Sequence, residues 1–263
     1  MSIKKTPDHH QYFGIIKATT EHWYSFDKYF AHKESNPESL TPSVSIIRRY
    51  DREGRLTKIE HFESGKPEYT TEYQFSANGQ VIRSVNKDPE GKPMCKSASI
   101  FNKDGLPEAC SVFCDMQNLD FRMLYSYDLN GKTLTETILY ENPEENATTF
   151  FEHIDECTIV KTSKDAGGQI IEQIIEKFDT AGNLESFSEF DNTGNLVREG
   201  FYTYDIFNNQ LTVKMHIYTM EGIEYSGREY EYLFDARDNW VRLICNPDDD
   251  QDASVCVREI EYY

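Results

Sequence analysis

Residues 174–211 read IIEKFDTAGNLESFSEFDNTGNLVREGFYTYDIFNNQL. Three times an aromatic residue is followed by Asp, two variable residues and then Gly or Asn. The copies are Phe178-Asp179-Thr180-Ala181-Gly182, Phe190-Asp191-Asn192-Thr193-Gly194 and Tyr204-Asp205-Ile206-Phe207-Asn208. An Asp that opens a turn accepts the backbone N–H two residues on. The Gly or Asn three residues later takes the positive φ that such a turn requires. An apolar residue opens the next segment each time: Leu184, Leu196 and, shifted by one, Leu211. Each copy therefore predicts the end of one β-strand, a tight turn and the start of the next.

The phrase recurs from about Tyr50 to Trp240. Turn glycines at Gly54, Gly79, Gly105 and Gly131 are spaced 25, 26 and 26 residues apart. Between them lie further turn clusters, such as Glu63-Ser64-Gly65-Lys66-Pro67 and Asp88-Pro89-Glu90-Gly91-Lys92-Pro93. One period is thus two strands and two turns. Beyond Gly168 the same train runs with shorter connections, at Gly182, Gly194, Asn208 and Gly222, and ends in a strand at Glu259–Tyr263. The D-x-x-G turns are expected along one end of the sheet and longer, often Pro-containing loops along the other. Segments such as Arg122-Met123-Leu124-Tyr125-Ser126-Tyr127 alternate at period two. Apolar residues fall on both parities, so parts of both faces are expected to be covered. The turns count out about sixteen to eighteen strands, more than an open sheet holds without curling or splitting. The expected fold is all-β, a long antiparallel meander of repeated hairpins forming a curved sheet or open barrel-like shell.

Residues 1–44 differ from the rest. Trp23, Phe26 and Phe30 share the i, i+3, i+7 spacing of a helix face, with Tyr29 beside them and Thr19 or Thr20 available as a cap. A short amphipathic helix over His22–Lys33 is predicted, followed by a loop over Glu34–Ser43. The expected organisation is an N-terminal helical and loop segment, 1–44, packed on a hairpin-repeat domain, 45–263.

The chain of 263 residues carries a formal charge of −19. Residues 1–60 hold 10 Lys/Arg and 8 Asp/Glu, and residues 61–263 hold 17 and 38, so the acidity belongs to the repeats. Such a surface repels nucleic-acid phosphates and anionic lipid headgroups. It attracts basic proteins and speeds their encounter. Solubility alone accounts for it equally well. The N-terminus has no apolar run of signal-peptide or membrane-spanning length, so a cytoplasmic location is expected. The six cysteines then read as reduced thiols, with Cys110 and Cys114 on one face of a strand and Cys245 and Cys256 able to face each other across a hairpin.

At Tyr50-Asp51-Arg52-Glu53-Gly54-Arg55-Leu56 and Tyr127-Asp128-Leu129-Asn130-Gly131-Lys132-Thr133-Leu134 the phrase resembles the YD repeat of bacterial RHS-type and teneurin proteins. Phe178–Leu184 and Phe234–Trp240 are further copies with Phe for Tyr. The resemblance covers residues 46–240 and implies β-hairpins winding into a shell, which in that family often encloses a toxin domain. This chain is short for a closed shell of that kind, and no toxin domain follows its repeats. Short acidic proteins of this type resemble immunity proteins encoded beside polymorphic toxins, which implies a basic toxin as partner.

Motifs for chemistry are few. No G-x-S-x-G, Gly-rich phosphate loop or H-E-x-x-H occurs. His153, Asp155 and Cys157 would share one face if their segment were a strand, with Asp155 orienting the imidazole. Asn246-Pro247-Asp248-Asp249-Asp250-Gln251-Asp252 offers oxygens to a hard cation without EF-hand spacing. His9, His10, His22 and His32 read as surface histidines. No catalytic, cofactor-binding or metal-ligating residue is therefore nominated, and no cofactor is expected. The leading expectation is a non-enzymatic module that binds a basic protein. A scaffold associating through open strand edges and an enzyme with a small-molecule site in a concave face are the alternatives.

Overall fold

The computed structural model describes residues 14–33, 40–114, 118–247 and 253–263. The fold is all-β: eighteen strands belong to one antiparallel sheet, joined by a short helix near the N-terminus. The strands are β1 (Ile16–Ser25), β2 (Val44–Tyr50), β3 (Leu56–Glu63), β4 (Lys66–Phe75), β5 (Val81–Lys87), β6 (Pro93–Phe101), β7 (Pro107–Phe113), β8 (Phe121–Tyr127) and β9 (Thr133–Tyr140). They continue as β10 (Ala147–His153), β11 (Thr158–Asp165), β12 (Ile170–Phe178), β13 (Leu184–Asp191), β14 (Leu196–Tyr204), β15 (Gln210–Thr219), β16 (Gly222–Phe234), β17 (Trp240–Pro247) and β18 (Ser254–Tyr262). The helix α1 spans Phe26–Lys33.

The turn phrase behaves as its chemistry dictates. Asp179 Oδ1 accepts the N–H groups of Ala181 at 2.9 Å and Asn183 at 2.8 Å, and Gly182 has φ +84°. Asp191 and Asp205 repeat both bonds, and Asn208 takes φ +63° where its neighbours have Gly. The second bond, to the residue four places on, holds the residue that leads directly into the returning strand as well as the turn. Each such turn carries one extra residue, and the strand register shifts beside it, as at Lys177/Phe178 and Thr203/Tyr204. The expected segregation of turn types is incomplete. Asp51, Asp128, Asp179, Asp205 and Asp235 open turns after even-numbered strands, but Asp165 and Asp191 open them after odd-numbered ones.

The sheet divides into two compact units, residues 1–96 with 229–263, and residues 97–228. In the first unit β1 lies between β2 and β18, antiparallel to both, so the first and last strands are neighbours. This corrects the reading of residues 1–44 as a segment lying on the sheet. Residues 16–25 are a strand paired with β18 on one side and, over 18–23, with β2 on the other; Thr19 is buried within it and caps nothing, and the helix is confined to 26–33. Nine paired residues on the β18 side and six on the β2 side outweigh the helical spacing of Trp23, which packs instead beside Trp240, Leu243 and Cys256. Phe26 and Phe30 do meet one turn apart on α1, their rings tilted by 44° with centroids 4.5 Å apart. A second core cluster joins Ile16, Tyr50 and Leu56 to Ile59, Tyr73, Ile260 and Tyr262.

In the second unit the strands are mostly half-buried on both faces, as the mixed parity implied. Cross-strand pairs hold them: Lys161 Nζ to Glu176 at 2.6 Å, Arg198 to Glu189, Thr137 to Thr148 and Thr149 to Ser163. Tyrosines of the repeat tie strands together at their ends. Tyr127 donates to the Pro107 carbonyl at 2.7 Å and Tyr204 to that of Leu184 at 2.9 Å. Gly200 on β14 lies under the Phe187 ring of β13. A Cβ there would come within 2.9 Å of Phe187 Cδ1 and 3.0 Å of Met215 Sδ.

Candidate functional site

The sequence motifs that suggested chemistry do not assemble. His153 ends β10, and its Nε2 donates to the Thr133 carbonyl at 3.0 Å. Asp155 and Cys157 lie in the following turn, where Asp155 Oδ1 accepts the Cys157 N–H at 2.8 Å. The alternation that would align the three ends at His153, so Asp155 holds the turn and does not orient the imidazole. Cys245 pairs with Ser254 and Cys256 with Leu243, so the two thiols are offset by two residues rather than opposed. His22 Nδ1 meets the Ser45 hydroxyl at 2.8 Å. His9, His10 and positions 248–252 of the acidic loop lie outside the described residues. Among the described residues no group of three His, Cys, Asp or Glu has metal-binding geometry.

The most concentrated buried chemistry sits where β1 meets its two neighbours. Glu21 on β1 lies opposite Arg258 on β18. Arg258 donates through Nε and Nη2 to Glu21 Oε1, at 3.0 and 2.5 Å, while Arg48 Nη1 on β2 reaches Glu21 Oε2 at 3.0 Å. The side chains of Glu21 and Arg258 are 5% and 1% exposed. The Arg258 guanidinium also stacks on the Trp240 ring, 3.2 Å from its centroid. Burial, and next the Glu21 charge, push the Cys256 thiol far above its ordinary range, so it stays protonated and unreactive. One carboxylate between two guanidiniums fixes β1 in register against both neighbours. Nothing in this arrangement leaves a group free to act on a substrate.

The exposed chemistry is richest on β14, β15 and the tip that joins β15 to β16. Period-two alternation and the β14–β15 register put Glu199, Phe201, Lys214, His216 and Tyr218 on one face. The Phe201 and His216 rings lie 5.4 Å apart, and the Tyr225 ring of β16 meets His216 edge-on at 4.9 Å. The three rings thus form a ridge across three strands. Beside it Tyr218 donates to Glu199 Oε2 at 2.6 Å, and that bond holds the phenol above its usual range. At the tip Met220 is fully exposed, with Glu221, Ile223 and Glu224 also exposed. Phe201 and Tyr225 are 41% and 68% exposed. Residues 184–228 carry seven Asp/Glu against three Lys/Arg. Single exposed apolar groups are ordinary on a protein surface, whereas a contiguous aromatic ridge with a carboxylate rim has the composition of a contact surface. Sequence reasoning missed it, because no motif marks it. The period-two spacing of Glu199, Phe201, His216 and Tyr218 was the available signal.

No protein-family model matches the chain, and no curated protein matches it. Among solved structures, a porin-like protein from Bacteroides uniformis is similar at 12% identity and a TM-score of 0.47, over 99% of this chain and 100% of that one. A porin-like protein from Bacteroides vulgatus is similar at 12% identity and a TM-score of 0.43, over 96% and 99%. The TcdB2-TccC3-TEV crystal structure is similar at 10% identity and a TM-score of 0.21, over 94% of this chain and 22% of that one. Among the described residues no helix is long and apolar enough to cross a membrane.

Proposed function

We propose that this chain is a non-enzymatic binding module that captures a basic protein, acting in the manner of an immunity protein that blocks a bacterial toxin in the cytoplasm. The observation that carries the reading is the placement of charge. The excess of 38 acidic over 17 basic residues in 61–263 is built into the strands and turns of the repeats. Five turn aspartates are held in the ionised form: Asp51, Asp128, Asp179 and Asp235 are drawn below the ordinary carboxylate range, and Asp191 is drawn down to about 2, first by the Thr193 hydroxyl and then by the Asn195 N–H. That negative surface favours a basic protein and disfavours nucleic acid and anionic membrane. The alternative of a scaffold that grows through open edges is weakened at the terminal strands, since β1 and β18 are paired with each other.

The test is a pull-down from the native host with the purified protein as bait, at low and high salt. A basic protein retained at low salt, released at high salt and inhibited by the bait supports the reading. Retention only of the bait in oligomers, or of a partner that is indifferent to salt and not basic, overturns it.

A further inference from the structure

Resting on that reading, we propose that the ridge Phe201–His216–Tyr225, with the hairpin tip at Met220–Glu224, is the surface that docks the basic partner. The partner segment it fits carries an apolar anchor flanked by Lys or Arg. Three observations converge on this place. The rings are in contact with one another and held by adjacent strands, so they are ordered before any partner arrives and little rotamer freedom is lost on binding. Apolar groups that a monomer gains nothing by exposing are gathered at one tip, where Met220, Ile223 and Tyr225 all face solvent. Carboxylates stand beside them: Glu221 in the turn of the tip and Glu199 bonded to Tyr218, while the exposed Glu224 adds negative charge from the other face of β16.

The charge on this surface selects the occupant. A second copy of the chain would bring its own acidic rim against this one, which like-charge repulsion opposes. A basic segment would meet it with opposite charge, and its aliphatic stems would lie along the rings, where a cation over an aromatic face gains further attraction. Lys214, which pairs with Phe201 across the strands, is the one cation on this face of β14 and β15 among the described residues. It sets the limit of the acidic rim on that side. Ser186 and Ser188 of β13 lie opposite Phe201 and Glu199, leaving a low shelf of small side chains beside the ridge.

The test uses the full chain and three short synthetic peptides of strand-forming alternation: Lys-Leu, Lys-Ser without the anchor, and Glu-Leu with the charge reversed. The Lys-Leu peptide is expected to bind the wild-type chain most tightly and the Glu-Leu peptide not at all. Phe201→Ala and Tyr225→Ala are each expected to weaken Lys-Leu binding about tenfold or more, the range of aromatic contact residues. Glu221→Gln with Glu224→Gln is expected to weaken it less and to reduce its salt dependence. All of these side chains are exposed, so an unchanged unfolding transition verifies that the variants are folded. If the Lys-Leu peptide binds every variant as it binds wild type, or binds no better than Lys-Ser, the docking site is overturned and the basic-partner reading stands. If the wild-type chain binds neither basic peptide, both fall.

Discussion

Glu21 is the residue whose replacement should cost the most. Its carboxylate bridges Arg258 and Arg48, nearly excluded from solvent, in a strand paired on both sides. Glu21→Gln keeps the shape and removes the charge, leaving two guanidiniums without their shared counter-ion. Breaking a buried pair from one side typically costs about 3–5 kcal/mol, and a drop of that size in unfolding free energy by chemical denaturation is expected. Thr19, two residues away on the same strand, gives the contrasting case. Its hydroxyl is buried and has no hydrogen-bond partner among the described residues, so Thr19→Val should be neutral or stabilising. A second prediction concerns the turn aspartates. Asp191 titrates at about 2 in the fold, and Asp51, Asp128, Asp179 and Asp235 are also drawn below the ordinary carboxylate range. A depressed carboxylate adds stability that is present above its unfolded value of about 4 and lost as pH falls through its folded value. Acid therefore weakens the Asp191 turn between about pH 4 and 2, and the other four turns as pH falls below about 4, even though protonating the other acids relieves self-repulsion. Asn102 opens a turn with the same two backbone bonds, to Asp104 and Leu106, so Asn can serve in this position. Asp191→Asn should keep the turn and shallow the fall in unfolding midpoint on acidification; an unchanged slope would remove Asp191 from the account.

At the scale of elements, the contact of Gly200 with Phe187 makes a sharp prediction. The ring of one strand covers the bare backbone of the next, and a methyl group at 200 must displace it or push on Met215. Gly200→Ala should destabilise by about 1–3 kcal/mol, the usual cost of overfilling a packed site. A Phe187→Leu background, which vacates the ring edge, should relieve much of that cost. Comparison of the four unfolding free energies in a double-mutant cycle reads the coupling directly. The repeat itself was legible because each turn is decided locally: an Asp oxygen reaches backbone N–H groups two and four residues on, and no distant residue is needed. The number of strands followed from counting those turns. The N-terminal strand was hidden because its fate depends on partners 23 and more than 200 residues away, Ser45 and Val257 opposite His22. Its aromatic spacing fits a helix, and only the two ladders override it. The aromatic ridge was hidden for a related reason. Phe201, His216 and Tyr225 become neighbours only when the strands that carry them are set side by side. His153, Asp155 and Cys157 erred in the opposite direction, since a plausible local alignment was cut short by the end of β10.

For the whole molecule, the decisive quantity is how charge and contact divide the work of binding. A chain of −19 should act at a distance on a basic partner, and action at a distance appears in the association rate. Screening length falls from about 10 Å at 0.1 M salt to about 3 Å at 1 M. Raising salt across that range should therefore slow association by an order of magnitude or more and leave dissociation nearly unchanged. Reversing charge at exposed sites away from the ridge, Glu108→Lys at the start of β7 and Glu156→Lys in the turn after β10, should slow association modestly by the same route. Tyr225→Ala should do the reverse, speeding dissociation while association stays close to wild type, because a contact residue is felt only after the encounter. Stopped-flow rates for the captured partner, measured against salt for wild type and these variants, separate the two contributions. If Glu108→Lys and Glu156→Lys change nothing while Glu221→Lys slows association sharply, the steering field is local to the hairpin tip and the remaining acidity of the repeats serves solubility. If all three slow association alike, the field belongs to the repeats as a whole and the tip supplies only the contact that holds the partner.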